Sequence, residues 1–169
     1  MSYRQLSEGT RNLIVDYLKA NLPAALDVVG SSVGAPQMQL DNPRSYFIYP
    51  KPAGYGLPAV FVIVDDFDFR ISDKKANFVN AKVRVNVSVE VEDQDAETLT
   101  YKADRYLSAL HSVLDEADIV SEDSKLALKV IVYHGRFSPL YMRQEGTGDG
   151  GKFRKEVLFE CEVEHVEGF

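Results

Sequence analysis

FVNAKVRVNVSVEVED, residues 78 to 93, decides the fold. Val83, Val85, Val87, Val89 and Val91 recur at every second position, and Lys82, Arg84, Asn86, Ser88, Glu90 and Glu92 stand between them. Side chains of an extended chain point alternately to opposite faces, so this period of two predicts a strand with one packed and one polar face. About 15 residues at roughly 3.3 Å each span about 50 Å, against about 40 Å for a globule of this size. The strand is expected to bend or to project beyond its own domain.

On its N-terminal side, PAVFVIVDDF reads as a buried strand. On its C-terminal side Asp95 can cap a helix over about residues 96 to 117, with Leu99, Ala103, Tyr106, Leu107, Leu110, Val113 and Leu114 in one stripe. LALKVIVYHG predicts a further strand. A glycine-rich loop follows, and then KFRKEVLFECEVEHVE, in which Phe153, Val157, Phe159, Cys161 and Val163 alternate with Arg154, Glu156, Glu160, Glu162 and Glu164.

Nearer the N-terminus, Leu13, Ile14, Tyr17, Leu18 and Leu22 recur at helical spacing after Thr10, a suitable N-cap. This helix lies within residues 6 to 29. Pro23 is expected to interrupt it, with ALDVV continuing at an angle until Gly30. From residue 30 to 58 the composition changes: five of the seven prolines and Gly30, Gly34, Gly54 and Gly56 surround one short strand candidate, SYFIY. A loop this long in a compact domain is usually functional or ordered by a partner, and it reads as an interaction arm.

The order of helix, arm, long hairpin, helix and long hairpin predicts an α+β fold. An antiparallel sheet carries two long helices on one face, with long loop and hairpin arms, in a single domain over residues 1–169. A chain of 169 residues with 45% hydrophobic composition suits one domain with a real core. The net charge of −7 disfavours general affinity for a phosphate backbone. Cys161, the single cysteine, excludes an internal disulfide and a cysteine-rich zinc site and suits a reducing compartment. With neither a signal-like start nor an apolar run of about 18 residues, the chain is expected to be soluble, to have no membrane partner and to be made in a cytoplasm.

EGTGDGGKF, residues 145 to 153, approaches a phosphate-binding loop: Gly146, four residues, Gly151, Lys152, then Phe153 where Ser or Thr would ligate magnesium. Its flanks do not fit. SPLYMRQE is a poor buried strand, and the residues after the glycines alternate with period two where a helix should receive the phosphates. A flexible tip between two strands is the better reading. His111, His134 and His165 show no metal-ligand spacing, and no nucleophile with a placed base is evident. The acidic clusters Asp65, Asp66, Asp68 and Glu90, Glu92, Asp93, Asp95, Glu97 follow no EF-hand pattern; a strand end and a helix cap account for most of them. Cys161 reads as a small core hydrophobe. No catalytic, cofactor-binding or metal-binding residue is assigned, and the chain is not expected to be an enzyme.

The succession of RNLIVDYLKANLPAAL, a strand pair ending in KVRVNVSVEVED, the helix AETLTYKADRYLSALHSVL, LALKVIVYHG and KEVLFECEVEHV resembles the tail terminator, or tail-completion, proteins of long-tailed bacteriophages. The likeness spans most of the chain but not residues 30–58. It implies a structural virion protein: a homohexameric ring at the head-proximal end of the tail tube. Such a ring ends tube polymerisation and joins the tail to the head–tail connector or stopper. It also implies no cofactor and DNA passing through the centre unread, which an acidic chain suits. Another neck component is the nearest alternative; a small nucleotide- or metal-binding enzyme is suggested only by the glycine loop and the acidic clusters. Contacts with tube, connector or neighbouring subunits are expected at two places. One is the arm, through Tyr46, Phe47, Tyr49 and Tyr55; the other is the tip, through Glu145, Gly146, Gly148, Gly150, Gly151 and Lys152.

Overall fold

In the computed structural model the described residues are 5–31, 37–49, 52–71, 79–123, 125–139, 141–142 and 151–166. The elements are α1 (Thr10–Gly30), β1 (Ser45–Phe47), β2 (Ala59–Ile71), β3 (Val79–Asp93), α2 (Ala96–Leu114), β4 (Asp118–Ser121), β5 (Leu126–Phe137), β6 (Tyr141–Met142) and β7 (Phe153–His165). Strand order is β1-β2-β3-β7-β5-β4, with β6 continuing the β5 side of β7. The expected α+β class stands. The sheet is mixed, however, because β1 pairs parallel with β2, Tyr46 opposite Val60.

The valine stripe does what its period requires. Val83, Val85, Val87 and Val89 are fully buried beneath both helices, together with Ile14, Leu18, Leu22 and Leu26 of α1 and Leu99, Ala103 and Leu110 of α2. The 15-residue β3 is matched by long neighbours: β2 pairs with it from Val79 to Glu90, and β7 from Lys82 to Asp93. The β2–β3 pair therefore overshoots β7 by three residues, Val79 to Ala81. Bulges lie at Val64/Asp66 in β2 and Val132/His134 in β5, and such irregularities add local twist.

Helix α1 departs from expectation twice. It runs unbroken through Pro23, because Leu22 and Leu26 sit one turn apart in the core and packing outweighs the backbone hydrogen bond that proline lacks. Thr10 is not its cap: a π-helical turn over Gln5–Gly9 runs into it, and Thr10 is the first α-helical residue, fully buried, with Oγ1 3.2 Å from His165 Nε2. Helix α2 starts as its sequence demands, the Asp95 carboxylate accepting from the Thr98 N–H at 2.7 Å. It ends at Leu114 rather than near 117, and Glu116, at φ 56°, turns the chain into β4, which the periodicity does not announce.

Gly135 faces Phe159 across β5 and β7, and a Cβ there would stand 2.6 Å from Phe159 Cε1. The Phe159 ring lies against one side of this otherwise exposed glycine and is itself 5.6 Å from the His111 ring. Gly135→Val is expected to destabilise by about 1–3 kcal/mol through overpacking, read from the urea midpoint at unchanged m-value.

Candidate functional site

The segment expected to be an arm is in its described part folded onto the sheet. Leu40 enters the main core. Leu57, Ala59 and Phe61 form a smaller cluster, with Phe47 and Tyr55 packed against it. Main-chain and hydroxyl contacts tie the segment down: the Arg44 N–H donates to the Pro58 carbonyl at 2.8 Å, and the Tyr106 hydroxyl of α2 donates to the Asp41 carbonyl.

Strand geometry sorts the four aromatics. Successive residues point to opposite faces, so Tyr46 packs with the main core under Lys19, whose Nζ stands 5.6 Å from the ring centroid. Phe47 turns to the face opposite the helices, where it stacks on Phe61 at 5.3 Å and meets Tyr49 and Tyr55 edge-on at 5.5 and 5.7 Å. Tyr49 alone of the four is largely exposed, at 51%. Tyr55 is half-buried, and its hydroxyl donates to Glu90. Burial, then that carboxylate, raises the phenol well above its usual range.

Sequence reasoning misplaced Glu90, with Ser88 and Arg154, on the solvent-facing side. Alternation assigns Glu90 to the polar face, yet it is 1% exposed, because the folded-over segment covers this end of that face. Arg154 of β7 answers it: Nη1 lies 3.8 Å from Glu90 Oε1 and Nη2 3.3 Å from Glu92 Oε2. Lys152 reaches Glu92 at 3.4 Å, and Lys102 donates to Asp93. Burial pushes the Asp93 carboxyl up, but Lys102 and the Asp95 N–H outweigh it and hold the group below the usual range. Glu92, Asp93, Lys102 and Lys152, with Asp41 and Arg44, border a cleft of about 320 Å³. The ion pairs tie α2, Lys152 and β7 to the end of β3, while the Tyr55 hydroxyl on Glu90 and the Tyr106 hydroxyl on the Asp41 carbonyl hold the folded-over segment there.

Of the glycine-rich tip, only Gly151 and Lys152 fall among the described residues; Glu145, Gly146, Gly148 and Gly150 lie outside them. Strand β7 begins at Phe153, directly after Lys152, so the chain after Gly151 and Lys152 is extended where a phosphate loop needs a helix N-terminus. Among the described residues no group of three or more His, Cys, Asp or Glu side chains is placed to hold a metal ion. Cys161 is in the core, and burial pushes its thiol up to about 12, where it is inert at neutral pH. No described helix is long and apolar enough to cross a membrane.

No family model and no curated protein matches the chain. Among solved structures it is similar to a chain from the "Virion of native gene transfer agent (GTA) particle", at 18% identity. The match covers 87% of this chain and 94% of that chain, with a TM-score of 0.41.

Proposed function

We propose that this chain is a structural subunit of a virion, acting as a single domain without catalytic chemistry. In its finer form the reading is a tail terminator: a homohexameric ring on the head-proximal end of a long tail tube, bound to the tube protein and the head–tail connector. The observation that carries it is the block β2-β3-β7-β5, with helices on one face only and long strand edges left open at both sides among the described residues. A sheet so built is completed by neighbours. The element order is also the one on which the resemblance to tail terminators rests. On the polar face β7 presents Glu156, Glu160, Glu162 and Glu164, of which Glu162 and Glu164 meet Lys82 of β3 at 2.8 and 2.9 Å, so this face is of mixed charge, and it is the net charge of −7 that suits DNA passing without being gripped.

Tyr49, exposed beside a packed aromatic cluster, is the member of the predicted contact set best placed to anchor a partner. Tyr55 serves the chain's own interior, so its replacement would report folding as well as contact. The test is polymerisation of tail tube protein with and without this chain, with light scattering and negative-stain images of the free protein. Capped, length-limited tubes and annular particles of sixfold mass support the terminator; annular particles that leave tube growth unchanged point to another neck component. Tyr49→Ala is expected to weaken tube capping with an unchanged melting temperature, and deletion of residues 146–151 to abolish tail joining while folding persists. Full joining by both variants would remove these segments from the contact surface.

A further inference from the structure

We infer that the ring closes by strand pairing between two edges of opposite charge: the open edge of β2 in one copy docks on the open edge of β5 in the next. This rests on the self-assembly proposed above.

Strand β1 covers β2 only at Ala59–Phe61, and β4 covers β5 only at Leu126–Lys129. Among the described residues the ladder groups beyond Phe61 on one side and beyond Val130 on the other have no strand beside them. Exposed edges of this length normally attract further strands, and proteins guard them with charges and bulges. Both edges here are guarded, with opposite signs. β2 carries Asp65 and Asp66, both exposed, at its bulge; β5 carries exposed His134 and Arg136 just beyond its own. Like charges oppose β2 meeting β2 or β5 meeting β5, whereas β2 meeting β5 is favoured.

Strand direction and charge order agree with this. Each of the pairs β2–β3, β3–β7 and β7–β5 is antiparallel, so β5 runs opposite to β2, and a copy rotated about an axis near the strands brings its β2 antiparallel to β5. Across the polar face one row reads Asp66, Arg84, Glu162, Ile131 and another continues Lys82, Glu164, Lys129, so charge alternates between β3 and β7 in both and reaches β5 in the second. An antiparallel register placing position 66 beside Arg136 places position 68, also Asp, beside His134. Tyr133 and Phe137, exposed on the same edge, add apolar area. Contact between different edges is heterologous, and it generates rings when the rotation closes.

The experiment uses Arg136→Glu and Asp66→Lys, with Asp65→Lys as a second β2 variant because Asp65 has no partner position on β3. Circular dichroism confirms that each is folded, and scattering mass is followed against concentration. Each variant alone juxtaposes like charges and is expected to raise the dissociation constant at least about tenfold. A 1:1 mixture of the β5 variant with a β2 variant makes every junction complementary and is expected to restore wild-type mass; added salt is expected to lower that mass. Wild-type protein that stays monomeric at every concentration overturns the edge contact, as does a folded mixture that fails to assemble. Rings insensitive to both substitutions sink the edge pairing and leave the ring standing. Charge-dependent rings that do not cap tubes sink the terminator and leave the edge pairing standing.

Discussion

Arg154→Met is expected to destabilise the fold by about 3–5 kcal/mol, the cost of breaking a buried pair by removing one partner. Glu90 is 1% exposed, so its carboxylate loses a facing guanidinium while water remains excluded. Glu92, which Arg154 also meets at 3.3 Å, keeps Lys152 and loses less. At about 2–4 °C per kcal/mol for a chain of this length, the melting temperature should fall by roughly 10 °C. Arg154→Met combined with Glu90→Gln should recover a large part of the loss, because no unpaired ion is then buried, and the double-mutant cycle isolates the coupling. A single variant within about 0.5 kcal/mol of wild type would mean that this network does not hold the end of the sheet.

The second large effect is a dependence on pH centred on His165. Burial lowers its pKa to about 4, against 6.5 for the free side chain, and its Nδ1 is buried without a hydrogen-bond partner among the described residues. Between those values the unfolded chain holds a proton that the folded chain refuses, so stability rises with pH across the window and is lost as pH falls from 6.5 toward 4. By pH 4.5 this group alone removes about 2.5 kcal/mol relative to pH 7 or above. His165→Gln should abolish that share of the acid sensitivity while other carboxylate contributions persist. Parallel stability–pH curves for the two proteins would show that the imidazole does not carry it. Thr10, whose hydroxyl meets the ring, connects this titration to the start of α1, so hydrogen exchange in that helix should rise first in acid.

The proposed self-pairing of the sheet ties both predictions to the proposed function. Arg154 and His165 lie toward opposite ends of β7, which sits between β3 and β5 in the block that is proposed to continue into neighbouring subunits. Substitutions that loosen either end should therefore lower assembly as well as stability, whereas Arg136→Glu should lower assembly alone.

Much of the scaffold was legible without coordinates. The period of two in β3 and β7, the 3.6-residue stripe of α2 and the Asp95 cap are local signals, and each reports a face that one element must bury. They determine the α+β class, the antiparallel core of the sheet and which valines are inside. Local signals say nothing about what lies over a face from elsewhere in the chain. Glu90 and Arg154 look solvent-facing in sequence, and they are buried only because residues 40–49 and 52–58 fold back across that end of the sheet. Pro23 looks like a break, and only the core under Leu22 and Leu26 keeps α1 whole. The parallel partner of β2, the short β4 and the open edges of opposite charge likewise depend on which strands become neighbours. Hydrophobic period is a property of one segment, whereas pairing, coverage and exposed edges belong to the packed chain, and so only the tertiary structure decided them.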